Sequence, residues 1–164
     1  MAELTKLESK LAEVLGLVQA AQGATDKIGG LVEDEDEQIA QTLRRMHEEA
    51  AETERRCTDL ASELDGKKTA IIEKARETKG EATEMMSTYL GDDAEGLDGL
   101  EFLVMAEAGE VGHWAILGKL DERARVDGVR ELVDWALPIQ ERHLSQAREC
   151  SLQLAAEEDP NEVE

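Results

Sequence analysis

The 164-residue chain has few aromatic residues and few prolines. Phe, Trp and Tyr make up 2% of the residues, and there are two prolines. A core with so few aromatic side chains must consist of Leu, Val, Ile, Met and Ala. Because proline breaks helices, two prolines interrupt the chain at few points. Apolar residues still amount to 41%. This is close to the globular average, so the composition excludes a disordered acidic tail and indicates one domain of ordinary length.

Basic residues are also scarce. The chain has 18 Lys and Arg against 39 Asp and Glu, which gives a net charge of −21. Such a surface repels phosphate backbones and anionic lipid head groups, so we expect neither nucleic acid nor a membrane as a partner. Metal ions and basic proteins are the natural partners of this charge. The alternative interpretation is that the acidic surface provides only solubility.

The spacing of the two cysteines and the absence of several sequence motifs exclude further classes of protein. Cys57 and Cys150 are far apart, match no metal-knuckle or redox spacing and lie on apolar helical stripes, so we expect reduced core residues. The amino-terminal stretch MAELTKLESKLAEVLGLV interrupts its apolar residues with charge at every turn, which is not typical of a signal peptide or a spanning segment. We therefore expect a cytoplasmic protein. The chain contains no phosphate-binding Gly loop, nucleophile elbow or His-Glu-x-x-His sequence.

Apolar residues recur at alternating steps of three and four, which is the helical period. The pattern predicts an all-α, antiparallel bundle of about five helices, with one domain over 1–157 and an acidic, frayed tail over 158–164. The predicted helices are 2–22, 35–64, 67–90, 98–122 and 126–157, the first ending before Gly29 and Gly30. The third has the weakest pattern, and its predicted inner residues are Ile71, Ala75, Ala82, Met85 and Tyr89.

Polar residues interrupt the apolar seams of the fourth and fifth predicted helices. Heptad steps along the fifth helix pass through Val126, Val129, Val133, Ala136, Gln140, His143, Ala147, Cys150 and Leu154. The same steps along the fourth pass through Leu100, Leu103, Glu107, Glu110, Trp114 and Leu117. Each seam therefore carries two polar residues in succession.

An antiparallel hairpin that turns near Val126 would bring these interruptions together. Glu110 would then face Gln140, and Glu107 would face His143. His113 follows Glu110 by one turn, and inward side chains at such spacings form metal sites in bundle cores. Since buried carboxylates need compensation, a divalent ion held by carboxylate and imidazole is one interpretation. Oxygen and nitrogen ligands favour iron, manganese or zinc.

Two other interpretations remain open. In the first, the same residues form only a structural network, in which Glu107 and His143 make a buried salt bridge and Glu110 and Gln140 a hydrogen-bonded pair. In the second, the fourth helix is rotated, so that apolar residues such as Val104 and Val111 face the core and Glu110 is partly in water.

The second helix contains the motif HEEAAETERR, the fourth AEAGEVGHWAILGKL and the fifth LPIQERHLSQA. With these motifs, the stretches 47–64, 80–90 and 100–155 resemble the YciE/YciF family of ferritin-like bacterial proteins. The resemblance covers most of the chain after residue 40. It implies five helices arranged around a ferritin-like four-helix bundle, and a dimer-forming, stress-associated protein with a carboxylate-rich core that binds metal. It implies no established reaction.

The chain departs from the ferritin-like di-iron pattern, which takes one Glu from each of two helices and Glu-x-x-His from each of the other two. Glu107 with Gln140 and His143 matches one half, except that Gln replaces the bridging Glu. The second helix has no histidine at the expected place, and only Glu49 lies near its inner face. The first helix has no seam carboxylate. These departures favour a single-metal, degenerate or subunit-shared site.

The sequence thus predicts a cytoplasmic, ferritin-like bundle that binds a divalent metal at Glu107, Glu110, His113 and His143. Gln140 and Glu49 are predicted as peripheral ligands or as partners of the ligands. A redox or stress-protection role and a homodimer complete this prediction. The alternative is a non-catalytic helical interaction protein that dimerises through apolar faces and contains a structural polar network.

Overall fold

The computed structural model describes residues 2–164 and consists of five α-helices joined by short turns. They are α1 (Lys6–Val32), α2 (Glu37–Glu63), α3 (Lys68–Tyr89), α4 (Gly96–Ala124) and α5 (Val129–Ala155). The prediction of an all-α bundle of five helices is confirmed. In this part of the chain, none of the helices is both long enough and apolar enough to cross a membrane.

Short polar side chains set where the first two helices begin. Thr5 Oγ1 accepts a hydrogen bond from the Glu8 amide at 3.1 Å, and Glu8 Oε2 accepts one from the Thr5 amide at 2.8 Å. Asp36 Oδ1 accepts from the amides of Gln38 and Ile39 at the start of α2. These bonds satisfy amides that have no partner within the first helical turn.

The predicted end of the first helix near residue 22 is wrong. Helix α1 continues through Gly29 and Gly30 to Val32. Each glycine in a helix interior costs about 1 kcal/mol relative to alanine. Ile28 and Val32 are fully buried near this end, and the burial of two large aliphatic side chains outweighs that cost.

Four helices form a closed ring in the order α1, α2, α5, α4, since each contacts the next and α4 contacts α1. Helices α4 and α5 run antiparallel: position 96 lies against Leu154, whereas position 118 lies against Val133. Helices α1 and α4 also run antiparallel, because Gly99 lies against Ile28 and His113 against Lys10.

Helix α3 lies outside this ring and packs on α1 and α2. Its buried residues are Ala70, Ile71, Ala75 and Met86. The predicted inner positions of Met85 and Tyr89 are wrong, because these side chains are 61% and 47% exposed. The helix contacts the bundle along a narrow strip, so one residue of rotation is enough to move Met85 outward and Met86 inward.

The apolar core consists of two clusters, one towards each end of the bundle. One cluster is built around Leu11, Cys57, Trp114 and Val133. The other is built around Ile28, Leu43, Leu103 and Cys150. Both cysteines are free and buried, as predicted. Between the clusters, at the middle of α4 and α5, lie the buried polar residues described next.

Candidate functional site

Two carboxylates and one amide form the centre of the buried polar layer. Glu107, Glu110 and Gln140 are 1%, 3% and 2% exposed. Gln140 Nε2 donates to Glu107 Oε2 at 3.0 Å and to Glu110 Oε2 at 2.7 Å. Helix α4 supplies both carboxylates because positions 107 and 110 lie on one face, and antiparallel α5 brings Gln140 opposite them.

Burial changes the protonation of this carboxylate pair. It raises the pKa of Glu107 from 4.5 to about 7, against the opposing effect of the Gln140 hydrogen bond. Burial and the negative charge of Glu107 raise the pKa of Glu110 well above its ordinary range. At neutral pH the pair therefore holds at least one proton when no other cation is present.

His143 lies beside this pair and connects it to α2. Its side chain is 2% exposed, with Nε2 3.3 Å from Glu49 Oε1 and Nδ1 4.0 Å from Glu107 Oε2. A carboxylate accepts hydrogen bonds, so the contact with Glu49 favours the tautomer that carries the proton on Nε2. Burial lowers the pKa of His143, although Glu49 opposes that effect. The imidazole is therefore neutral at pH 7, and its Nδ1 lone pair faces Glu107.

Arg142 holds Glu49 in place. Its two terminal nitrogens both donate to the Glu49 carboxylate, Nη1 to Oε1 at 2.8 Å and Nη2 to Oε2. The hydrogen bond from Arg142 lowers the pKa of Glu49, with burial opposing it and His143 adding to it. Glu49 is 30% exposed at its side chain and stays ionised. The order of contacts is therefore Arg142, Glu49, His143, Glu107, Gln140, Glu110.

His113 does not belong to this layer. Lys10 Nζ donates to its Nδ1 at 3.0 Å, and the same Nδ1 lies 3.4 Å from Glu13 Oε2. Its side chain is 37% exposed and faces α1. Position 113 precedes the buried seam position Trp114 by one residue, which is about 100° around a helix. The structure thus brings together five of the six predicted site residues and separates His113 from them.

Sequence reasoning missed Arg142. It precedes the buried seam residue His143 by one position, and its side chain is 46% exposed. Charged side chains at exposed helix positions are common, so its sequence position alone does not mark it. In the structure, α2 and α5 pair Asp36 with Gln153, and the same antiparallel register places Glu49 near Arg142. That register depends on tertiary packing and cannot be read from either helix alone.

Two buried polar atoms flank the layer along the chain. Trp114 Nε1, one turn after Glu110, and Gln146 Oε1, one turn after His143, have no hydrogen-bond partner among the described residues. Buried polar atoms without a partner are uncommon and cost free energy. Both atoms lie within one helical turn of the buried layer.

The side chains of the buried layer carry atoms of the kinds that bind metal ions, but these atoms are not arranged as in a metal site. Carboxylate oxygens, an amide oxygen and an imidazole nitrogen are ordinary ligands of divalent ions. Within residues 2–164, however, no group of three His, Cys, Asp or Glu side chains is arranged to hold a metal. The Gln140 amide nitrogen lies between the two carboxylates as a donor. A metal would require the carboxamide to turn and present its oxygen.

Comparisons with known proteins place the chain in no family. No family model matches it, and neither a curated protein nor a solved structure does.

Proposed function

We propose that the chain is a ferritin-like bundle whose buried polar layer is a cation site. The layer holds a shared proton at rest and accepts one divalent metal ion in its place. The ring order α1, α2, α5, α4 supports the fold assignment, because α3 connects α2 to α4 from outside the ring. In a ferritin-like bundle, a long crossover connection joins the second and third helices of the ring in the same way.

The contact between His143 and Glu107 carries this proposal. Nδ1 and Oε2 are 4.0 Å apart, which is too long for a hydrogen bond, and both side chains are 2% exposed. Two ligands of one divalent ion, each about 2.1 Å from it, lie roughly 3–4 Å apart. The separation of these two atoms therefore suits ligands that share an ion.

Glu49 supports the same assignment from the other side of the imidazole. A metal-binding histidine usually donates its second ring N–H to a carboxylate, which fixes the tautomer and the ring orientation. The Nε2 contact with Glu49, itself held by Arg142, has this form. We therefore assign Glu107, Glu110, Gln140 and His143 as ligands and Glu49 as the partner of His143. His113 is omitted. Iron, manganese and zinc suit these donors.

Metal titration of Glu107→Gln tests the proposal. The exposed Glu101→Gln on the same helix is the control, since it removes the same charge without touching the layer. Isothermal titration of protein freed of metal, with Mn²⁺ or Zn²⁺, should give about one equivalent bound to the wild type and to the control. Glu107→Gln should bind at least tenfold more weakly. Because the ion replaces a proton, binding at pH 7 should release about one proton, seen by comparing buffers of different ionisation enthalpy.

Wild type that binds no metal after loading with iron, manganese or zinc would contradict this proposal. It would favour a second candidate, a non-catalytic interaction protein in which the layer is purely structural. One observation supports that candidate: the Gln140 amide donates a hydrogen bond to each carboxylate, so both carboxylates have a partner without a metal. Met105 and Ile116 on α4 are about half exposed and would serve as contact residues of a homodimer. The stress-associated role and the homodimer stay predictions.

A further inference from the structure

The four helices of the ring form two hairpins, α1 with α2 and α4 with α5, and a short turn joins the helices of each pair. Two interfaces hold the hairpins together, one between α1 and α4 and one between α2 and α5. The α1–α4 interface is close, since a Cβ at Gly99 would lie 3.0 Å from Ile28 Cγ2. Helices α2 and α5 make the least extensive contact in the ring. The hairpins can therefore separate between α2 and α5 while α1 and α4 stay in contact.

Polar contacts between side chains at the surface hold the α2–α5 interface together from the buried layer to the start of α2. The exposed Arg142 pairs with the partly exposed Glu49. Further along, Gln153 Nε2 donates to Asp36 Oδ2 at 2.9 Å. Exposed ion pairs and hydrogen bonds add little stability, because water competes for both partners. Both contacts can therefore break at a small cost in free energy.

The other end of the α2–α5 interface is packed more closely. A Cβ at Gly128 would lie 2.7 Å from Leu60 Cδ1, so the Leu60 side chain touches the backbone at the start of α5. Arg56 Cζ lies 4.0 Å from the centre of the Trp135 ring, which is a cation–π contact. We therefore expect α2 and α5 to separate between the layer and Asp36, with the Leu60 end remaining in contact.

All four assigned metal ligands lie on the α4–α5 hairpin. Glu107 and Glu110 belong to α4, and Gln140 and His143 belong to α5. Separation of α2 from α5 would break the 3.3 Å contact between His143 Nε2 and Glu49 Oε1 and would expose the imidazole. It would leave the four ligands facing one another. Because these ligands are at most 3% exposed in the closed bundle, an ion needs such an opening to reach them.

We propose that α2 and α5 separate locally to admit a divalent cation to the buried layer, and that the Arg142–Glu49 ion pair keeps this opening closed. The inference rests on the cation site proposed above. Glu49 is the most exposed carboxylate of the layer, so an arriving ion meets it once Arg142 has moved away. A groove between α3 and α4 also borders Glu107 and Glu110, but its lining is mainly apolar and suits a hydrated ion poorly.

Thiol labelling of the metal-free protein tests the opening. Cys150 of α5 lies one turn before Gln153 and belongs to the same apolar cluster as Leu43 of α2. Cys57 of α2 lies one turn before Leu60, at the end that stays in contact. Uncharged iodoacetamide modifies a buried thiol when the surrounding structure opens. Mass spectrometry of the peptides gives the labelling rate of each thiol separately.

Arg142→Ala should raise the labelling rate of Cys150 roughly threefold, the effect of losing one exposed ion pair, and should leave Cys57 unchanged. The control is Arg148→Ala, which removes the same charge from an exposed position of α5 and should label no faster than the wild type. Circular dichroism confirms that both variants fold. An unchanged rate at Cys150 in Arg142→Ala would overturn the proposal. Equal acceleration of both thiols would indicate global unfolding and would also overturn it.

The rate of metal uptake tests the route. Rapid mixing of metal-free protein with Mn²⁺ is followed by tryptophan fluorescence, because Trp114 lies one turn after Glu110. Arg142→Ala should take up Mn²⁺ roughly threefold faster than Arg148→Ala. Gly109→Phe, which fills the groove between α3 and α4, should take it up at the wild-type rate. Uptake that is slowed by Gly109→Phe and unaffected by Arg142→Ala would place the route in the groove and overturn the proposal.

The two measurements separate this inference from the cation site itself, because labelling requires no metal. A protein in which Arg142→Ala accelerates labelling of Cys150, but which binds no Mn²⁺, contradicts the cation site alone. A protein that binds Mn²⁺, but in which Arg142→Ala leaves labelling and uptake unchanged, contradicts the opening alone.

Discussion

Glu107 and Glu110 lie in the centre of the bundle, where water cannot stabilise their charge. One amide hydrogen-bond donor serves both, and the adjacent imidazole is neutral. Ionising both carboxylates together would leave uncompensated buried charge, which costs several kcal/mol. The protein avoids this cost by retaining a proton or, as we propose, by binding a cation.

The retained proton makes stability depend on pH. The folded pKa of Glu107 is about 7, whereas the unfolded value is near 4.5. Between pH 4.5 and pH 7 the folded state binds more protons than the unfolded state. The stability that the retained proton contributes is therefore fully present below pH 4.5 and is lost as pH rises through 7. The full loss corresponds to about 3 kcal/mol as an order of magnitude. Glu110, also raised, acts in the same direction.

Urea unfolding of wild type and Glu107→Gln between pH 5 and pH 8 measures this contribution. The free energy of unfolding of the wild type should fall with pH more steeply than that of the variant. The pKa values of His143 and Glu49 are lowered, so both groups destabilise the protein as pH falls. Because the wild type and the variant both contain these groups, the difference between their two pH curves isolates the effect of Glu107. Parallel pH curves for the two proteins would show that Glu107 has no raised pKa.

At the scale of the elements, helix α1 holds the fold together because it contacts α2, α3 and α4. The contact with α3 requires a residue without a side chain. A Cβ at Gly16 would lie 2.4 Å from the Ala75 carbonyl oxygen and 2.7 Å from Thr78 Cβ. The backbones of α1 and α3 therefore meet at this position, and no side-chain rotation can relieve the clash with the carbonyl.

Gly16→Ala should destabilise the protein even though alanine favours helices. Overpacking of this kind costs about 1–3 kcal/mol, more than the roughly 1 kcal/mol gained in helix propensity. The control is Gly23→Ala in the same helix, where a Cβ meets no atom within 4 Å. That variant should be stabilised by about 0.5–1 kcal/mol. Urea unfolding compares the two, and a stabilised Gly16→Ala would mean that α3 does not pack closely on α1.

At the scale of the whole molecule, the net charge of −21 opposes compaction. Folding concentrates 39 acidic side chains on a small volume, with 18 basic residues to offset them. Salt screens this repulsion over a distance of about 10 Å at 0.1 M. The exposed ion pair of Arg142 and Glu49 weakens in salt, but one such pair contributes at most about 1 kcal/mol.

Added salt should therefore stabilise the protein. Urea unfolding in EDTA at pH 7, with NaCl raised from roughly 0.02 M to 0.5 M, should give a steady increase in the free energy of unfolding. Replacing NaCl with KCl should give the same curve if the effect is screening. A decrease with salt would show that attractive ion pairs outweigh the repulsion.

The sequence alone determined the helices and most of the buried layer. The helical period of the apolar residues and the position of a residue on the apolar seam are local properties of a helix. For this reason Glu107, Glu110, Gln140 and His143 could be recognised as polar residues at apolar positions. The end of α1, the inner face of α3, the place of His113 and the role of Arg142 were decided by tertiary structure. Each depends on which neighbouring helix lies opposite and in what register, and packing between helices that are distant in sequence sets both.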